Sequence, residues 1–106
     1  MCTLKHYVDR AGYDLFGSWL DGLADIKAQA RIAARLLRLR NGNFGDCKPV
    51  RDGVWELRVD HGPGYRVYYA IDAGKVVLLC EGGDKRTQKA DIKRAVLRWN
   101  DWQERK

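Results

Sequence analysis

The stretch VWELRVDHGPGYRVYYAIDAGKVVLLCEGGD, residues 54–84, decides the fold of this 106-residue chain. Three apolar runs are separated by segments of only a few residues that carry Gly62, Pro63, Gly64 and Gly74. Glycine and proline at this density interrupt helices, and short apolar runs between tight turns are typical of β-hairpins. The stretch therefore predicts a three-stranded antiparallel meander.

Side chains alternate along the first two predicted strands, so one set should face a core and the other solvent. The residues predicted to face the core are Trp55, Leu57, Val59, Tyr65, Val67, Tyr69 and Ile71. Arg58 and Arg66 then share the outer face with Tyr68 beside them, which suits RNA because guanidinium groups pair with phosphates and aromatic rings stack on bases. The alternative is a solvated face with ion pairs, since Arg58 lies between Glu56 and Asp60.

The flanking sequence completes the prediction of an α+β fold in a single domain, residues 1–106. The other elements are a short strand over 3–8, a helix over 13–23, a helix from an Asp25 cap to about Arg40, an edge strand over 47–51 and a helix over 89–103. The order β-α-α-β-β-β-β-α places two N-terminal helices on a mostly antiparallel, twisted sheet, with a third helix at the C-terminus.

The second predicted helix carries an apolar and a basic stripe at helical spacing. The predicted buried face consists of Ile26, Ala30, Ala33, Leu36 and Leu37. The basic stripe consists of Lys27, Arg31, Arg35 and Arg38. Such a basic face is usually solvated, and the functional alternative is a surface for phosphates or an acidic partner. In the last helix, Trp99 and Trp102 indicate packing rather than a ligand site.

The basic composition suggests a polyanionic partner, either nucleic acid or an acidic protein, and the alternative is a solubility surplus on a solvated face. The net charge is +6 and the isoelectric point is about 9.4. No run is long enough to span a membrane, so the sequence predicts a cytoplasmic protein without a membrane partner. Cys2, Cys47 and Cys80 fit neither a disulfide framework nor a zinc site, and Cys80 is predicted to be a buried thiol.

Catalytic signatures are few. The histidines are His6 and His61, and the sequence contains no Ser-His-Asp set, metal-ligand spacing or phosphate loop. The glycines of residues 62–64 and 82–83 are interpreted as turn glycines. His61 is predicted to be a turn residue that lies near the outer face.

Four segments closely resemble the addiction-module killer proteins, which are phage Gp49-like and HigB-like members of the RelE/ParE toxin superfamily. They are FGSWLDGL (16–23), RIAARLLRLRNGNFGDCKPVRDGVWELRV (31–59), GPGYRVYY (62–69) and LLCEGGDKRTQKADIKRA (78–95). The resemblance extends from about Phe16 to Trp99 and is specific at the level of the subfamily.

The resemblance implies the toxin of a type II toxin–antitoxin pair, in a hetero-oligomer with a small helix-turn-helix antitoxin. It further implies an endoribonuclease that cuts mRNA in the ribosomal A site without a metal or other cofactor. In such enzymes the ribose 2′-hydroxyl attacks the adjacent phosphate while basic side chains assist. The antitoxin is expected either to neutralise the basic face, with an acidic or apolar segment along Arg58, Arg66 and Lys85, or to hold the terminal helix away from that face.

The resemblance also assigns catalytic residues. Arg66 matches the strand arginine that is expected to hold the scissile phosphate. Arg86, or Lys85 beside it, matches the basic residue after the last strand, and Arg58 matches one of two basic strand residues. The second of these is Glu56 here.

The general acid and base are left open. The C-terminal tyrosine of RelE has no counterpart, since Ile92 stands near its position. Glu56, Lys48, Lys85 and His61 are the candidates. Lys48, Tyr68 and His61 are expected to bind RNA.

Two other functions fit the same fold. One is a ParE-like toxin that inhibits DNA gyrase through a protein-binding surface. The other is a non-catalytic RNA- or protein-binding module. Both remain open because one fold hosts several functions.

Overall fold

A computed structural model describes residues 2–106 and shows an α+β fold with the predicted element order. The elements are β1 Thr3–His6, α1 Leu15–Asp21, α2 Ile26–Arg40, β2 Cys47–Arg51, β3 Val54–Val59, β4 Tyr65–Asp72, β5 Val76–Asp84 and α3 Gln88–Glu104, with one 3₁₀ turn at Lys85–Thr87. The meander and the edge strand are confirmed. α1 is shorter than predicted, and β1 ends two residues earlier.

The five strands form one sheet in the order β1-β5-β4-β3-β2. β1 pairs with β5 in parallel, and the other neighbouring pairs are antiparallel. This topology puts the long meander in the middle of the sheet, so side chains at the centre of β3 and β4 are flanked by strands on both sides. Within residues 2–106, no helix is long and apolar enough to cross a lipid bilayer.

Both faces of the sheet are covered, which the sequence did not predict. The core on one face, with α1 and α2, consists of Phe16, Ile32, Leu36, Leu39, Leu57, Val59, Val67, Tyr69, Val77 and Leu79. The core on the other face, with α3, consists of Tyr7, Val54, Tyr68, Ala70, Leu78, Cys80, Ala95, Val96 and Trp99. The prediction of an open outer face is therefore wrong for Tyr68, because α3 covers its fully buried ring. The packing roles of Trp99 and Cys80 are confirmed.

The predicted buried face of α2 is mostly wrong. The helix buries Ala28, Ile32, Leu36 and Leu39, and only Leu36 belongs to the predicted set. The rest of that set, Ile26, Ala30, Ala33 and Leu37, faces solvent. The helix has apolar residues on two sides, so periodicity alone could not tell which side packs on the sheet.

Gly82 and Gly83 lie inside β5 rather than in a turn, which corrects their interpretation as turn glycines. A Cβ at Gly82 would overlap the ring of Trp19, and a Cβ at Gly83 would overlap the carboxylate of Asp91. The two glycines therefore let α1 approach one face of β5 and α3 approach the other face.

Candidate functional site

Two arginines of neighbouring strands lie directly opposite each other beside the loop that joins β3 and β4. Arg58 of β3 is paired with Arg66 of β4. Like charges in this position repel each other unless a counter-charge lies between them. Glu56 provides that charge: Arg58 Nε donates to its Oε1 at 3.0 Å, and Arg66 Nε lies 3.5 Å from its Oε2.

Glu56 is fully buried, although the alternation of β3 predicted it to face solvent. Its Oε2 accepts a hydrogen bond of 2.7 Å from Gln88 Nε2, at the first residue of α3. Burial alone would raise the pKa of this carboxyl, but the hydrogen bonds from Arg58 and Gln88 and the charge of Arg66 outweigh burial and hold the pKa below its ordinary value. Glu56 is therefore an anion at neutral pH that fixes both guanidinium groups.

The two arginines line a cleft of about 390 Å³ where β3 ends and β4 begins. Its lining residues are Asp46, Arg58, Val59, Asp60, Gly62, Pro63, Gly64, Tyr65, Arg66 and Lys85. The side chain of Arg66 is 12% exposed and that of Arg58 is 39% exposed, so Arg66 lies deeper. Lys85, which is exposed, joins them from the turn after β5.

The carbonyl of Gly64 connects the β3–β4 loop, which lines the cleft, to Arg66 and to the segment after β5. It accepts hydrogen bonds of 3.0 Å from Arg66 Nη1 and from the backbone N–H of Lys85. Gly64 has φ +83°, a conformation that favours glycine, and a Cβ here would lie 3.4 Å from Arg66 Nη1. The loop sequence thus fixes the position of Arg66 and brings Lys85 to the same rim.

The cleft combines three cationic groups with two exposed carboxylates, those of Asp46 and Asp60. Guanidinium and ammonium groups that line one cleft suit a phosphate, because they form charge-assisted hydrogen bonds with its oxygens. Among residues 2–106, no three His, Cys, Asp or Glu side chains are grouped closely enough to hold a metal ion.

Comparison with known proteins identifies the family. Residues 18–98 match the family described as phage derived protein Gp49-like (DUF891). The chain belongs to this family. The Gp49-like family is a RelE/HigB-like toxin family, so the resemblance of the sequence is confirmed, and membership implies a cognate antitoxin as partner. An uncharacterised protein of Haemophilus influenzae is 55% identical over 82 residues, which cover 77% of this chain and 83% of that protein.

In this Gp49-like protein, three of the four predicted catalytic residues come together. Arg58, Arg66 and Lys85 all line the cleft. Arg86 points elsewhere: its Nη2 lies 2.8 Å from Asp84 Oδ2, and the residue lines a neighbouring cavity between α1 and α3. Of the two basic residues after the last strand, Lys85 lines the cleft and Arg86 does not.

The residues predicted to bind RNA are dispersed. Tyr68 is buried under α3, so its ring cannot stack on a base in this conformation. Lys48 is exposed on β2, directly opposite Glu56 in the sheet register. His61 lies in the loop beside the cleft, where its Nε2 is 2.9 Å from Asp25 Oδ2.

The structure adds three polar residues to the site, namely Asp46, Asp60 and Gln88. Asp60 directly follows β3 and could have been found from its position two residues after Arg58. Asp46 lies in the turn-rich segment before β2, and Gln88 starts a helix that was not predicted to touch the meander. The positions of Asp46 and Gln88 in the site could not be predicted from the sequence, because each residue reaches the site only through the packing of distant segments.

Proposed function

We propose that this chain is the toxin of a type II toxin–antitoxin pair and that it cleaves mRNA on the ribosome. The observation that carries the proposal is the cleft that Arg58, Arg66 and Lys85 line together. The buried carboxylate of Glu56 contacts both arginines and holds their positions. Membership of a RelE/HigB-like toxin family supports the proposal.

The proposed reaction is attack of a ribose 2′-hydroxyl on the adjacent phosphate. The bond between the 2′-oxygen and phosphorus forms while the bond from phosphorus to the leaving 5′-oxygen breaks. Arg66 holds the phosphate and stabilises the negative charge that builds up on its oxygens, and Arg58 supports it from the neighbouring strand. Neither arginine accepts the 2′-hydroxyl proton, because guanidinium scarcely deprotonates.

The reaction needs two proton transfers, one from the 2′-hydroxyl and one to the leaving 5′-oxygen. Of the candidates from the sequence, Lys85 is the one that lines the cleft, and its ammonium suits protonation of the leaving 5′-oxygen. Glu56 is a weak base, since Arg58 and Gln88 stabilise its charged form. The carboxylates that line the cleft, Asp46 and Asp60, are the proposed acceptors of the 2′-hydroxyl proton.

The test is cleavage of a defined mRNA on purified ribosomes, with 5′ ends mapped, for wild type and Arg66→Ala. Loss of this arginine should slow cleavage at least about 100-fold, as removal of a group that stabilises transition-state charge does. Arg51→Ala is the matched control, because Arg51 is an exposed strand arginine outside the cleft. Thermal unfolding of each variant separates loss of activity from loss of fold.

Three results would contradict the proposal. Wild-type cleavage by Arg66→Ala would remove the site assignment. Inhibition of purified DNA gyrase by the wild-type chain, with ribosomal mRNA left intact, would support a ParE-like toxin instead. Absence of growth arrest at good expression would indicate a binding module without toxicity.

A further inference from the structure

The solvent side of α2 carries an apolar stripe. Ile26, Ala30, Ala33 and Leu37 follow the i, i+4, i+7, i+11 spacing and are all exposed. Ile26 is 76% exposed and Leu37 is 56% exposed. At 1.5 Å per residue, the stripe extends for about 16 Å along the helix. The core-facing residues of α2 lie on a different side of the helix, so this stripe is not needed to hold α2 on the sheet.

Basic residues border this α2 stripe. Lys27, Arg31 and Arg38 follow one of its sides, and Arg40 lies at the end of the other. α2 has no acidic residue, and within residues 2–106 no ion pair involves these four side chains. The fifth basic residue of the helix is different: Arg35 Nη1 donates to the carbonyl of Arg58 at 2.6 Å.

The apolar stripe and the basic residues beside it together indicate which kind of molecule could bind this side of α2. A second copy of the chain would place α2 against α2 and bring two uncompensated rows of cations together. RNA would satisfy the cations but would leave Ile26 and Leu37 against phosphate and ribose. A helix with an apolar face and acidic flanks satisfies both features, because apolar side chains cover the stripe while carboxylates pair with the flanking cations.

We propose that the α2 stripe is a docking surface for an acidic amphipathic helix of a partner protein. The surface is separate from the catalytic cleft but borders it. Arg31 and Arg38 share a small cavity with Val59 and Asp60, and these last two residues also line the cleft. A partner anchored on α2 therefore has its acidic side next to the entrance of the cleft. The proposal does not depend on mRNA cleavage.

The test uses the full chain and a fluorescent synthetic peptide that forms an amphipathic helix. The leucines of the peptide repeat at the i, i+4, i+7, i+11 spacing, and glutamates flank them. Binding is followed by fluorescence anisotropy. A second peptide of identical composition has its leucines scattered around the helix. The wild-type chain should bind the first peptide at least about tenfold more tightly than the second, since only the first presents a continuous apolar face.

Variants separate the apolar contribution to peptide binding from the electrostatic contribution. Ile26→Asn with Leu37→Asn should weaken binding of the first peptide at least about tenfold, and Arg31→Ala with Arg38→Ala should weaken it by a similar factor at low salt. The matched controls are Leu97→Asn and Lys93→Ala on α3, where Leu97 is 61% exposed. Neither control should change the affinity by more than about twofold. Arg66→Ala should leave peptide binding unchanged while it abolishes cleavage, so failure of one proposal is distinct from failure of the other.

Several outcomes overturn the proposal. One is equal binding of the two peptides, and another is a loss at Leu97→Asn as large as that at the α2 stripe. A concentration-dependent dimer of the wild-type chain that Leu37→Asn dissociates would identify a second copy as the occupant. Single-stranded RNA that competes with the peptide on wild type and binds the Ile26 and Leu37 variant normally would identify RNA.

Discussion

At the scale of single residues, Glu56 determines whether Arg58 and Arg66 can occupy neighbouring strands. Its carboxylate is shared by both guanidinium groups and by Gln88. Glu56→Gln removes the charge, keeps the shape and leaves two facing cations without their counter-ion. We expect a loss of roughly 3 kcal/mol in the free energy of unfolding, at the lower end for a broken buried pair because Arg58 is partly exposed. Urea denaturation at neutral pH measures this loss.

The control for this change is Glu104→Gln, which alters an exposed glutamate near the end of α3 and should cost less than about 0.5 kcal/mol. A double variant with Arg66→Ala should lose less than the sum of the two single changes, since the pair is then removed together. Full additivity would mean that Glu56 does not stabilise Arg66.

The same residues show where prediction from sequence stops. Alternation along β3 correctly identified Leu57 and Val59 as core residues, and it placed Arg58 and Arg66 on one face. It missed the burial of Glu56 and Tyr68, because strand periodicity reports which residues share a face and not what covers that face. That information resides in α3, whose contact with the sheet is non-local.

At the scale of elements, the aspartate that caps each N-terminal helix also contacts a histidine from another part of the chain. Asp14 caps α1 and lies 2.9 Å from His6 Nδ1, and Asp25 caps α2 and lies 2.9 Å from His61 Nε2. The hydrogen bond from His61 is the largest cause of the lowered pKa of Asp25. A carboxyl with a lowered pKa stabilises the fold above its ordinary value of 3.8 and loses that contribution as the pH falls through the folded value.

Asp25→Asn should therefore lower the melting temperature at pH 7, and the difference from wild type should shrink as the pH falls below about 4. The reason is that the wild-type carboxyl then becomes protonated and neutral, like the amide of Asn. Differential scanning calorimetry across this range provides the measurement. Asp21→Asn serves as the control, because within residues 2–106 the exposed side chain of Asp21 makes no hydrogen bond or ion pair. An equal difference for Asp25→Asn at pH 7 and pH 3 would contradict the role of charge.

The packing of α1 on β5 depends on Gly82. Gly82→Ala forces the ring of Trp19 away from the strand, and overpacking of this kind costs about 1–3 kcal/mol. Chemical denaturation measures this cost. In a Trp19→Ala background the same change should cost much less, because the ring that the new methyl group would meet is gone. An equal cost in both backgrounds would show that the backbone of β5, not Trp19, requires glycine here.

Element boundaries and element faces differ in how well the sequence predicts them. Asp25 caps the start of α2 through local hydrogen bonds, and the predicted bounds of this helix, from the Asp25 cap to about Arg40, are confirmed. The buried face is a tertiary property, and Ile26 and Leu37 were wrongly placed in the core. Their exposure is the feature from which the docking surface on α2 is proposed. The departure from the polar surface that is usual for a helix is what the proposal explains.

At the scale of the whole molecule, the sheet carries a core on each face, and β4 contributes to both. Val67 and Tyr69 pack towards α1 and α2, while Tyr68 and Ala70 pack towards α3. α3 is also held by polar contacts along its length, including Arg94 Nε to Glu81 at 2.7 Å and Trp102 Nε1 to Asp72 at 3.0 Å. Disruption of the core on one face therefore destabilises β4, whose side chains also form the core on the other face.

The two cores should therefore unfold as one cooperative unit. Trp99→Ala, in the core under α3, should reduce the free energy of unfolding by roughly 3–5 kcal/mol, as expected for truncation of a buried tryptophan. Leu97→Ala in the same helix should cost less than about 0.5 kcal/mol because Leu97 is exposed. Urea transitions followed by far-ultraviolet circular dichroism and by tryptophan fluorescence should coincide for wild type and for both variants, since Trp19 reports on the α1 side and Trp102 on the α3 side. A separate early transition in fluorescence would show that α3 detaches before the sheet unfolds.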